Sequence, residues 1–165
     1  MESILENIIS RIGEGMPELK TVDEDYGQLE FIDQESRDTY PLTFPAVLID
    51  APDTQWSNMQ GLSQKGTATV RARLIIDCYD DTHYTSGTTA KISEREGLRR
   101  KLHLLLQGYR PGEGCAALVR TSSRFYTFNH GLKVYEATYT ATITEIIEPD
   151  TVTISRPAFI ISTGK

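Results

Sequence analysis

The stretch TATVRARLIIDCY, residues 67–79, decides the fold. Val70, Ala72, Leu74, Ile76 and Cys78 alternate with Thr69, Arg71, Arg73 and Asp77. That is the period of a strand with one face in a core and the other in water. Such a strand needs partners and a cover, and the sequence on either side supplies both. Upstream, FPAVLID (44–50) is a short apolar run with Pro45 near its start, where a strand tolerates proline. Downstream, AALVRTSSRFYTF (116–128) and LKVYEATYTATITEI (132–146) are two further strands, joined by Asn129, His130 and Gly131 in a hairpin. In the second of these, Tyr135, Ala137, Tyr139, Ala141 and Ile143 alternate with Glu136, Thr138, Thr140, Thr142 and Thr144. A face of threonines is not a core; it is solvated, or it meets polar neighbours.

Two helices supply the cover. In SILENIISRIG (3–13), Ser3 and Glu6 have capping-box spacing, Ile4, Leu5, Ile8, Ile9 and Ile12 share a face, and Gly13 is a stop signal. In SEREGLRRKLHLLLQGY (93–109), Ser93 and Glu96 repeat the box, and Leu98, Leu102, Leu105 and Leu106 form the stripe. Gly108 ends it. The expectation is an α+β fold: a mixed or mainly antiparallel sheet of four to five strands with two principal helices on one face. Residues 14–43 read as an acidic connection in which QLEFID (28–33) is a candidate short strand, and 50–66, DAPDTQWSNMQGLSQKG, as a long loop carrying Trp56. A tryptophan there is a lid on its own core or an anchor in a partner's pocket. The apolar tail TVTISRPAFIISTGK (151–165) is a candidate edge strand or an arm reaching another subunit.

With 165 residues the chain reads as one domain, with a core large enough to need no staples. Two cysteines, Cys78 and Cys115, make neither a disulfide framework nor a zinc spacing. The start is acidic and amphipathic, unlike a cleaved secretory signal, and no apolar run is long enough to span a bilayer. The net charge of −6 argues against general nucleic-acid affinity. Its distribution is uneven: residues 1–60 carry −10, 61–135 carry +6 and 136–165 carry −2. Such a split suits head-to-tail contact between subunits, or pairing of the two sets within one chain.

Chemistry is hard to find in the sequence. Asp77, Cys78, Asp80, Asp81 and His83 crowd the end of the strong strand, but alternation sends Asp77 and Cys78 to opposite faces, and His83 has no second histidine at ligand spacing. They read as a polar strand exit. GEGCAA (112–117) has the letters of a dinucleotide fingerprint, yet it follows a helix and precedes a strand, the reverse of the required order, so it reads as a turn. Ser63 lacks a nucleophile-elbow setting, and His103 and His130 have structural readings in a helix and a turn. Arg99, Arg100, Lys101, Arg120, Arg124 and Lys133 accompany Phe125, Tyr126 and Phe128, but alternation places Phe125 opposite the other two aromatics, which spoils a stacking platform. No catalytic, cofactor or metal residue is assigned.

The order of leading helix SILENIISRI, strands FPAVLID and TATVRARLIIDCY, middle helix SEREGLRRKLHLLLQGY and closing hairpin RFYTFNHGLKVYEATYTATITEI resembles the phage tail terminator and tail completion proteins. The resemblance covers most of the chain and rests on element order, without a diagnostic motif. It implies a non-enzymatic homo-oligomer, commonly a ring of six, that caps the tail tube. Such a ring binds tube protein below and head-neck proteins above, and DNA passes through it without specific binding. It also implies a virion tail component assembled in the bacterial host cytoplasm. On charge alone, Asp23, Glu24 and Asp25 against Arg99, Arg100 and Lys101 are candidate subunit contacts, with Trp56 as an anchor. The competing classes are a small α+β ligand-binding domain or enzyme with a pocket closed by the Trp56 loop, and a nucleic-acid module using the basic helix.

Overall fold

The computed structural model describes residues 2–33, 42–78 and 84–146. Helix α1 spans Glu2–Gly15, strand β1 Thr21–Glu24, β2 Ala46–Ile49, β3 Asp53–Asn58 and β4 Ser63–Ile76. Helix α2 spans Thr88–Leu106, and β5 Val119–Thr127 and β6 Lys133–Ile146 close the chain's described part. Strand order is β1-β2-β4-β6-β5, with β3 also on β4; only the β1–β2 pair is parallel. The α+β class and the mainly antiparallel sheet therefore hold, with six strands rather than four or five.

Both helices lie on one face. Ile4, Leu5, Ile8, Ile12 and Met16 of α1 and its exit join Leu102 and Leu106 of α2 over Val47, Ile49, Val70, Ala72, Leu74, Tyr139, Ala141 and Ile143. These are the alternating positions of the sequence, and each fully buried Leu or Ile contributes roughly 1.5–3 kcal/mol. The helices are tied end to end: Arg11 Nε donates to Leu105 O at 2.7 Å, satisfying a last-turn carbonyl that the helix itself leaves open. Asn7 Nδ2 donates to Pro111 O at 2.7 Å.

The other sheet face is not uniformly wet. Beneath its lower half a second, smaller core joins Leu29, Ala46, Leu48, Ile75, Leu132 and Val134. Consequently Ile75 and Arg73, on the face read as solvated, are buried. The guanidinium is held by Asp25, itself 3% exposed, and by Glu30. Burial works against its charge, but hydrogen bonds to Glu30 and Asp25 outweigh that and raise its pKa. The same contact holds the Glu30 carboxyl below its ordinary value. The run Leu74-Ile75-Ile76, with no polar interruption, was the sign of a strand covered on both sides.

Several boundaries differ from the sequence reading. The Trp56 segment is a hairpin: β3 pairs with Gln64–Thr69 through Trp56↔Gly66 and Gln55↔Thr67. Its strand character was hidden because five of its six residues are exposed, so no apolar alternation marks it. QLEFID is a turn rather than a strand, pinned by Gln28, whose side chain donates to Glu24 O at 2.6 Å and accepts from Tyr26 N–H at 2.9 Å. Strand β1 lies just before it, in an acidic run without strand patterning. Neither capping box caps. Helix α1 already includes Ser3 and runs past Gly13, while α2 begins after Gly87, so Ser93 donates to Thr89 O within the helix at 3.1 Å. Asp80, Asp81, His83 and the tail 150–165 lie outside the described residues.

Candidate assembly surfaces

The sheet ends in two edges of opposite character. β1 forms one, and Asp23 and Glu24 on it are exposed. β5 forms the other, with seven of nine residues exposed, including Phe125 at 52%. On the helix side of that edge α2 stops short of covering β5. A cleft of about 420 Å³ remains between them, bordered by Arg99, His103, Arg120, Ser123 and Phe125 and floored by Ala137 and Tyr139. Its register is set by Phe125↔Tyr135, Ser123↔Ala137 and Arg120↔Tyr139, with a bulge between Arg120 and Ser122 that re-aims the strand. Phe125 stacks on Tyr135 at 4.4 Å between ring centroids.

Three guanidinium groups border this cleft. Arg99 pairs with Glu96 and Arg124 makes two 2.9 Å hydrogen bonds to Glu136. Arg120 has no carboxylate partner among the described residues; its backbone N–H donates to Gln107 Oε1 at 3.0 Å. The imprint of this positive charge falls on His103, whose Nδ1 lies 3.0 Å from the Tyr139 hydroxyl. Burial, then Arg120 and Arg99, hold the imidazole below its ordinary pKa. Tyr139 is pushed up to about 12 by burial, so its hydroxyl keeps its proton. Ser123 has no base within hydrogen-bond reach among the described residues, and no group of three potential metal ligands occurs among them. Arg99, Arg120 and Arg124 give the cleft a cationic border.

The residues singled out on charge are scattered by the fold. Asp25 is committed to Arg73 in the lower core. Lys101 is held by Glu18 at 2.8 Å, and Arg99 by Glu96. Some of the opposite charges thus meet inside one chain. Asp23, Glu24 and Arg100 remain exposed. Trp56 lies across Gly66, where an added Cβ would approach Trp56 Cε3 to 2.9 Å, and it borders a shallow groove with Ile4 and Ile143 while staying 38% exposed. Met59, Leu62 and Ile146, all more than half exposed, cluster near the same end of the sheet.

The remaining candidates resolve into structure. Asp77 is exposed and Cys78 half-buried, its sulfur accepting from Arg95 Nη1 at 3.2 Å. GEGCAA is a turn in which Gly114 (φ +69°) lies against Thr144 O, too close for a side chain. Phe125 and the Tyr126–Phe128 pair lie on opposite sides, the latter against the smaller core. His130, at φ 57°, closes the β5–β6 turn and contacts Asp33. Sequence reasoning missed the special place of Arg120, because its distinction from Arg124 is the absence of a partner across the strand, which only the register reveals. No helix among the described residues is long and apolar enough to cross a membrane.

No family model matches the chain, and no curated protein sequence does. Among solved structures, the fold is similar to a chain in the virion of the native gene transfer agent (GTA) particle, with a TM-score of 0.51 and 10% identity. The alignment covers 86% of this chain and 92% of that one, so what is shared is a whole fold and not a fragment.

Proposed function

We infer that this chain is a structural subunit of a phage-like virion, and within it a tail terminator or tail completion protein. The observation that carries the reading is the end-to-end likeness of fold to a chain of the gene transfer agent virion. The opposed charges of the two sheet edges are compatible with it, since unlike surfaces on one molecule permit heterologous contact and ring closure. In this role copies of the chain, commonly six, close the tail tube and present a surface to head-neck proteins. DNA passes the central opening without sequence-specific contact, and the chain does no catalysis. Its place is the virion tail, built in the host cytoplasm.

The test combines particle mass by light scattering over a salt series with electron microscopy of the chain added to tail tubes. Rings, or caps at one tube end, are the expected result. A tightly bound cofactor or metal, together with a chain that stays monomeric and never caps a tube, would overturn the reading.

A further inference from the structure

The cleft beside β5 and the β1 edge differ in a way that makes them complementary. The first holds a guanidinium, Arg120, with no carboxylate partner among the described residues, above a floor where Tyr139 is 1% exposed. The second displays Asp23 and Glu24 in solvent, with Glu6 of α1 near Glu24 around a second shallow groove. Strand order places these surfaces at opposite ends of one sheet, so they cannot meet within a chain. A second copy shifted along the strand order brings its β1 edge to the β5 edge of the first without any inversion. Each copy then offers both halves of the contact, as a closed heterologous assembly requires.

We propose that the α2–β5 cleft is the seat for the acidic β1 edge of a second copy of this chain, with Arg120 receiving the carboxylate of Glu24 or Asp23. This rests on the assembly reading above and names its contact. A charge-assisted, bidentate guanidinium–carboxylate pair is a strong and directional way to set the register of two copies. The stacked Phe125 and Tyr135 beside it supply an apolar wall that shields the pair from water. The depressed pKa of His103 agrees with a site short of negative charge, and predicts its own relief when a carboxylate arrives.

The experiment is a charge swap read by sedimentation of the full chain at about 50 mM salt, where surface charges are least screened. Arg120→Glu alone, and Asp23→Arg with Glu24→Arg alone, are each expected to weaken self-association at least tenfold. Mixing the two variants places a glutamate opposite arginines and is expected to restore a heterologous pair, an outcome that misfolding cannot imitate. In parallel, the His103 imidazole followed by NMR is expected to titrate at higher pH in the associated chain than in the dilute monomer. Assemblies indifferent to both single reversals would overturn the seat and leave the virion reading standing. A chain that stays monomeric at every concentration would also overturn the seat, whereas the virion reading then stands or falls on capping of tail tubes.

Discussion

The two halves of β4 share one pairing partner and differ in almost everything else. From Ala72 to Ile75 the strand is buried on both sides, by the helices above and the smaller core below, and it carries a buried arginine. From Ser63 to Thr69 the buried residues are Gly66 and Ala68 on the helix-side face; on the reverse face Thr67 pairs with Thr142, both exposed, and Thr69 with Thr140, both half-buried. One half is built to hold a shape, and the other carries a partly exposed polar face among the described residues. The lesson is that burial, rather than pairing, assigns stability along a continuous strand.

Arg73→Ala should break the comparison hardest. It strands the Asp25 carboxylate in a dry site and is expected to cost about 3–5 kcal/mol in urea unfolding. A loss under about 1 kcal/mol would mean that water reaches Asp25 and that the lower half is less sealed than described. Gly66→Ala tests the upper half's covered face. The new methyl meets Thr54 Cγ2 at 2.7 Å and Trp56, so about 1–3 kcal/mol is expected, with a change in Trp56 fluorescence.

Acid sharpens the contrast. Because Arg73 lowers the pKa of Glu30, that contact stabilises fully above the ordinary glutamate value of about 4.3 and is lost as pH falls through the depressed one. Asp50 has the opposite sign: burial, then Asp25, raises its pKa, so its contribution declines as pH rises through that raised value. Glu30→Gln should therefore flatten the acid side of the stability curve, by less than about 1 kcal/mol because Glu30 is half-exposed. Thr142→Ala is expected to change stability by no more than about 0.5 kcal/mol. If it weakens assembly while leaving the monomer's stability alone, the threonine face has a partner.

Much of this division was legible. The alternation in β4 and β6, the leucine stripe of α2 and the apolar face of α1 are periodic signals, and each became core. The hairpin turn at Asn129–Gly131 was equally plain. What could not be read was whatever depended on a second layer arriving from far away in sequence. Arg73 looked solvated because Asp25 and Leu29, which cover its side, lie more than forty residues earlier in an acidic segment without periodicity. β3 looked like a loop because an exposed edge strand has no face to bury. The candidate site was legible only as charge: of Asp23, Glu24, Asp25, Arg99, Arg100 and Lys101, the fold commits Asp25, Arg99 and Lys101 to internal pairs and draws attention to Arg120 instead.

β4 and β6 run beside each other over fourteen consecutive register pairs, from Ser63↔Ile146 to Ile76↔Lys133. Mechanically this is a beam. A pull on Ser63 against Lys133 works along the strands and loads the whole ladder at once in shear. A pull on Ser63 against Ile146 works across one end and opens the ladder bond by bond. The same ladder would therefore resist tension along the sheet far better than peeling at its upper end, and a load is borne best when it enters and leaves at opposite ends of that pair.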